Sequence, residues 1–146
     1  MAPDRPILDH MNLVVRDMDS MIAFYSRLGV EIAPSAPPWD RHHRTIQNDD
    51  RIDFDLDSAT FAVQWNAGWP SGQTGPVIGF RVERRESVDA IYDDLTSAGY
   101  TGQQAPYDAF WGARYAVIVD PEGNSVGLMS AADPERRTAP PSPAAT

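Results

Sequence analysis

One constant offset superposes two stretches of this chain, and that internal repeat limits the folds open to it more than any other feature. In "ILDHMNLVVRDMDSMIAFYSRLG", Met11, Leu13 and Val15 alternate as on a strand with one buried face, leaving His10, Asn12 and Val14 on the other. Asp17 or Asp19 can cap the helix that follows, where Met18, Ile22, Tyr25 and Leu28 recur at helical spacing before Gly29 supplies a left-handed stop. In "VIGFRVERRESVDAIYDDLTSAG", Ile78, Phe80 and Val82 alternate, Ser87 can cap, and Val88, Ile91, Tyr92 and Leu95 form a helical stripe that Gly99 ends. The offset that lays Leu13 on Phe80 also lays Val15 on Val82, Ser20 on Ser87, Ala23 on Ala90, Tyr25 on Tyr92 and Leu28 on Leu95. A duplicated strand–helix unit is the simplest account.

Strand-like runs follow each helix: "VEIAPS", "HRTIQN" and "RIDFDLD" in the first half, "ARYAVIVD" and "SVGLMS" in the second, with a short strand near residues 100–104. Each half therefore reads βαβββ. "DPEGNS" has the Pro and Gly placement of a tight turn between antiparallel neighbours. The expected organisation is an arm at 1–6, a first unit at 7–57, a linker at 58–75, a second unit at 76–130 and a mobile Pro- and Ala-rich tail at 131–146. Within the linker, "SATFAVQWNAGW" reads as a short helix capped by Ser58, with "PSGQTGP" as a loop. The fold class is α+β, two βαβββ repeats forming a curved mixed sheet around a cleft and pairing as a homodimer, because half-barrels expose sheet edges.

Composition narrows the chemistry. The chain of 146 residues has no cysteine, which excludes disulfides, a thiolate nucleophile and zinc–thiolate or iron–sulfur sites. All 12 cationic side chains are arginine against 21 acids, and a net charge of −9 repels phosphate backbones and anionic lipid surfaces. Neither nucleic acid nor membrane is an expected partner. No apolar run reaches signal-peptide or membrane-span length, so a soluble cytoplasmic protein is expected.

The paired βαβββ units, the Asp17–Tyr25 strand–helix junction and the late "DPEGNSVGLM" resemble the vicinal oxygen chelate superfamily, which includes glyoxalase I, extradiol dioxygenases and bleomycin-resistance binding proteins. The resemblance covers about residues 7–130 and implies, in metal-using members, four ligands from equivalent strands of the two units. The first falls on His10 and its counterpart in the second unit on Val77, which has no lone pair to give. The last-strand acid falls on Gly127, and for the first unit Asp55 is the preferred match, with Gln64 in a later register. Two of four positions are thus without a donor, whereas a divalent ion needs about three protein donors in fixed geometry.

The strand faces opposite the helices give His10, Asn12, Asp53, Asp55, Val77, Gly79, Arg81, Ser125, Gly127 and Met129 as the cleft wall. Glycines and soft apolar side chains there favour an organic guest over an ion. Loop aromatics gather in "YDAFWGARY", where Phe110 and Trp111 are read as stacking plates for a planar ligand, while Trp65 and Trp69 are read as plugs against the core or a second subunit. The adjacent His42 and His43 are read as solvated surface. The ligand-binding candidates are therefore His10, Asn12, Asp55, Val77, Gly79, Arg81, Phe110, Trp111, Gly127 and Met129, with no metal or other cofactor. The resemblance implies a metal-independent binding protein of the bleomycin-resistance kind, sequestering a planar or aromatic compound. The alternative is a glyoxalase-like lyase, isomerase or dioxygenase holding one divalent ion on His10 and Asp55, completed by Asp108, Glu122, His42 or His43.

Overall fold

Strand β1 (Ile7–Val15) runs into helix α1 (Met18–Leu28), whose first turn is capped by the Asp17 carboxylate accepting from the Ser20 amide and whose end is turned by Gly29 at φ 110°. These features belong to a computed structural model that describes residues 4–47 and 52–142. The ends of the runs "HRTIQN" and "RIDFDLD" at Asn48 and Arg51, the start of the arm at 1–3 and the end of the tail at 143–146 lie outside the described residues. After α1 come β2 (His43–Ile46), β3 (Asp53–Ser58) and α2 (Ala59–Trp65), the last capped by Ser58 as its sequence predicts. The second half supplies β4 (Gly75–Val82), α3 (Arg85–Ser97), β5 (Thr101–Asp108), β6 (Arg114–Val119) and β7 (Ser125–Ser130).

The seven strands form one mixed sheet in the order β2-β3-β1-β4-β7-β6-β5. The pairing is alike in the two halves: β1 lies parallel to β3, β4 lies parallel to β7, and β1 and β4 meet antiparallel at the centre. Asp120 closes the β6–β7 turn by accepting from the Glu122 and Asn124 amides. Helix α1 seals the first half through Met18, Ile22 and Tyr25 over Val15, Ile46 and Leu56, and α3 seals the second through Val88, Ile91, Tyr92 and Leu95 over Val82, Ile118 and Leu128. The other sheet face carries a third cluster, in which Val14, Val77 and Val117 lie beneath Phe61, Trp65, Trp69 and Tyr115. None of the helices among the described residues is long and apolar enough to cross a membrane.

Four expectations need correction. "VEIAPS" forms no strand, only the isolated bridge Ile32–Ile46, so the first unit has three strands where four were expected. Pro34 follows the bridge and cannot donate to a ladder. The strand placed near residues 100–104 runs on to Asp108, with register shifts that hide its period. Ser87 does not cap α3, which begins earlier; the Asp4 carboxylate from the N-terminal arm accepts from the Glu83 and Arg84 amides instead. Leu28 leaves the buried stripe of α1 and is 67% exposed.

Candidate functional site

Side chains from β1, β2, β3, α2, β6, β7, the β5–β6 loop and the C-terminal segment line a cavity of about 580 Å³ on the sheet face opposite α1 and α3. Its first wall is polar, because β3 turns Asp53, Asp55 and Asp57 to the same side, as the period of a strand requires, next to His10 and Asn12 of β1 and His43 of β2. The register sets His10 beside Asp53, Asn12 beside Asp55 and His43 beside Asp57.

Asp57 organises this wall. Its carboxylate is fully buried, accepts from Asn12 Nδ2 at 2.7 Å and lies 2.5 Å from His43 Nδ1. Asp55 stands 3.9 Å from His43 Nε2, too far for a hydrogen bond. Burial works to lower the His43 pKa, but the Asp57 hydrogen bond and the charges of Asp57 and Asp55 outweigh it and hold the imidazole above its ordinary value. Burial raises the Asp55 carboxyl, with His43 opposing and the Asp57 charge adding. His42, by contrast, is buried against Ser58, its Nδ1 2.9 Å from the hydroxyl oxygen. The histidine pair is therefore not the solvated surface its arginine-flanked sequence suggests.

The second wall is aromatic. Trp39 and Phe61 pack edge to face at 5.1 Å, with His43 against Phe61, while Trp65, Tyr107 and Trp111 surround Tyr115 at 5.5–6.1 Å. Trp111 packs on Phe110 and donates from Nε1 to the Met129 sulfur at 3.2 Å. Gly112, at φ 93°, lets the β5–β6 loop turn, and a Cβ there would stand 2.3 Å from the Asp133 carbonyl oxygen. Burial drives the Tyr115 hydroxyl well above its ordinary pKa, with the nearby Tyr107 and the Asp57 charge adding, so it stays protonated. The segment after β7 crosses the rim: the Asp133 amide donates to Gly112, the Thr138 amide donates to Phe110, and Gln64 donates to the Ser142 carbonyl. Arg137 and Pro140 of that segment complete the cavity lining.

Of the residues singled out in the sequence, His10, Asn12, Asp53, Asp55, Phe110, Trp111 and Met129 come together around the cavity. Val77 lies fully buried below it. Gly79 lies under the His10 ring, whose Nε2 is 2.0 Å from where a Cβ would be, and the Tyr115 hydroxyl is 3.0 Å from the corresponding point on Gly127. Arg81 is directed to solvent and pairs with Asp9 at 3.4 Å. His10 takes Asp9, at 3.0 Å, as its partner in place of Asp55. Phe61 and Arg137 are not among the residues that the sequence singles out; His43 is there only as solvated surface or as a loop donor, and Asp57 only as the third acid on the strand face shared with Asp53 and Asp55. That row of three aspartates was the signal for the partnership, since buried carboxylates require partners.

The ion implied by the family resemblance does not fit these residues. The Val77 position offers no donor, the Gly127 position lies under the Tyr115 hydroxyl, and among the described residues no group of three or more His, Asp or Glu side chains is arranged to hold a metal ion.

The sequence family described as the Glyoxalase/Bleomycin resistance protein/Dioxygenase superfamily matches residues 7–128. No curated protein matches the chain. Among solved structures it resembles an extradiol ring-cleaving dioxygenase from B. fuscum at 17% identity and a TM-score of 0.62, covering 90% of this chain and 34% of that one. The Mn(II)-bound glyoxalase of Novosphingobium aromaticivorans gives 18% identity and 0.57 over 84% of this chain and 38% of that one. An NAD-dependent benzaldehyde dehydrogenase of Legionella pneumophila gives 17% and 0.56 over 82% and 96%. These likenesses show the fold, and the chain spans about a third of the length of the dioxygenase and glyoxalase it matches.

Proposed function

The chain belongs to the Glyoxalase/Bleomycin resistance protein/Dioxygenase superfamily, and on that premise we propose that it binds a planar or aromatic small molecule in the concave cavity without a metal ion, as bleomycin-resistance-type members do. The observation that carries the reading is the aromatic wall of Trp39, Phe61, Trp65, Trp111 and Tyr115 around about 580 Å³, beside ligand positions taken by Val77 and Gly127. A volume of that size suits a drug-sized guest.

Planar compounds should quench tryptophan emission saturably in protein dialysed against a chelator. Trp111→Ala should weaken that binding by about 1–3 kcal/mol, the scale of one aromatic contact. His10→Ala should weaken it by about 0.5–1.5 kcal/mol through loss of a polar contact. Unchanged affinity in a folded Trp111→Ala variant, or binding that requires restored metal, would remove this reading.

The chain is further proposed to act as a homodimer. Supporting this are the sheet edges at β2 and β5 and the exposed apolar side chains Ile7, Leu8, Phe24 and Leu28. Sedimentation at micromolar concentration should give twice the 16.1 kDa chain mass, and a monomer with full ligand binding would count against it.

A further inference from the structure

We propose that the cavity holds a metal-free proton-transfer pair, His43 as proton acceptor and Tyr115 as hydroxyl donor, that enolises a neutral planar ketone. The inference rests on the reading of the cavity as a small-molecule site and adds an activity to it.

The geometry of His43 sets it apart from a surface histidine. Its Nδ1 faces a fully buried carboxylate whose other oxygen is taken by Asn12, so the neutral ring carries its proton on Nδ1 and presents the Nε2 lone pair. That nitrogen has no hydrogen-bond partner among the described residues, and the side chain is 39% exposed where it lines the cavity. Asp57 is a positioning residue: it fixes the tautomer and stabilises the imidazolium when it forms.

Tyr115 supplies the complementary group. The residue is 3% exposed and lines the same cavity, its ring is clamped by Trp65, Tyr107 and Trp111, and its hydroxyl has no hydrogen-bond partner among the described residues. The hydroxyl is not sealed off from the cavity, so the oxygen of a guest can accept from it. The hydroxyl stands over Gly127, and a preorganised donor stabilises charge developing on a carbonyl oxygen.

The step needs no oxidant or cofactor. Nε2 takes a proton from the carbon next to the carbonyl, the electron pair of that C–H bond moves into the C–C–O unit, and the enolate oxygen is held by the Tyr115 O–H. The imidazolium then returns a proton to carbon and restores both partners. Three aspartates in the lining, opposed by Arg137 and the two histidines, disfavour an anionic guest, and the rings favour a flat one.

The test uses 2-tetralone in deuterium oxide, following loss of its α-proton resonances by NMR and its binding by tryptophan quenching. Wild type should exchange the α-protons faster than buffer, saturating with 2-tetralone. His43→Gln should lower the saturated rate by roughly 10²–10⁴-fold, and Tyr115→Phe, which removes only an oxygen, by roughly 10²–10³-fold, both in folded protein that still shows saturable quenching by 2-tetralone. Asp57→Asn should lower the saturated rate while leaving the half-saturating concentration unchanged, a split that a purely structural role would not produce. Bound 2-tetralone with exchange at the buffer rate overturns the proposal and leaves the binding reading standing; absence of both binding and exchange overturns both. Wild-type exchange rates in folded His43→Gln or Tyr115→Phe protein would also overturn it.

Discussion

Trp65→Ala should cost about 3–5 kcal/mol of folding stability, a fall of roughly 10–20 °C in melting temperature for a domain of this size. Trp65 is 5% exposed, stands edge-on to Tyr115 at 6.1 Å and roofs the cluster formed by Val14, Val77 and Val117. Alanine would join the vacated volume to the cavity, where neighbours cannot collapse on it. Trp65→Phe should behave differently. The indole Nε1 is buried without a hydrogen-bond partner, so phenylalanine discards an unsatisfied donor, worth about 1–3 kcal/mol, against the packing it loses. The phenylalanine variant should stay within about 1.5 kcal/mol of wild type. Chemical denaturation of both variants checks this, and equal losses in the two would show that the indole N–H has a partner after all.

Asp57→Ala should cost about 2–4 kcal/mol, the sum of an Asn12 amide left unpaired in the interior and a charge-assisted bond to His43 lost. It should also change how stability depends on pH. His43 is held above its unfolded value of about 6.5, so its contribution is complete below that pH and disappears as pH rises through the folded value. Asp55, raised above 3.8, acts in the same direction from lower pH upward. Wild-type melting temperature should therefore fall between about pH 6 and pH 8. Without Asp57 the burial of the imidazole is opposed only by Asp55, and the slope should flatten or reverse. Melting scans across that range decide the matter; an undiminished slope in the variant would assign it to other groups.

The likeness of the two halves was readable because their first strands and helices keep most apolar positions in step: Leu13 and Val15 pack with Ile22 and Tyr25, and Phe80 and Val82 with Ile91, Tyr92 and Leu95, while Leu28 and Ile78 are exposed. Val77 and Gly127 could likewise be placed without coordinates, since both sit at fixed distances from a recognisable turn or repeat start. His43 could not. Its surroundings depend on pairing with Asp57 across the β2–β3 register, and the strand-like run that begins at His43 does not say which strand lies beside it. The tail was also opaque: "DPERRTAPPS" has no apolar period, and its attachment comes from single amides meeting carbonyls of the β5–β6 loop, a contact that leaves no mark on side-chain pattern.

Tyr115 over Gly127 and His10 over Gly79 also decide which changes are open to this chain in descent. An acid introduced at 127 meets the tyrosine hydroxyl from its first carbon outward, and a donor at 77 would have to enter a fully buried apolar layer. Each substitution alone costs packing, and neither alone completes a donor set. A lineage moving toward ion coordination would thus pass through intermediates that have lost packing and do not yet hold an ion. Exchanging one ring of the aromatic wall, by contrast, reshapes the cavity in a single step. The shape of the cavity is therefore open to change sooner than its donor set.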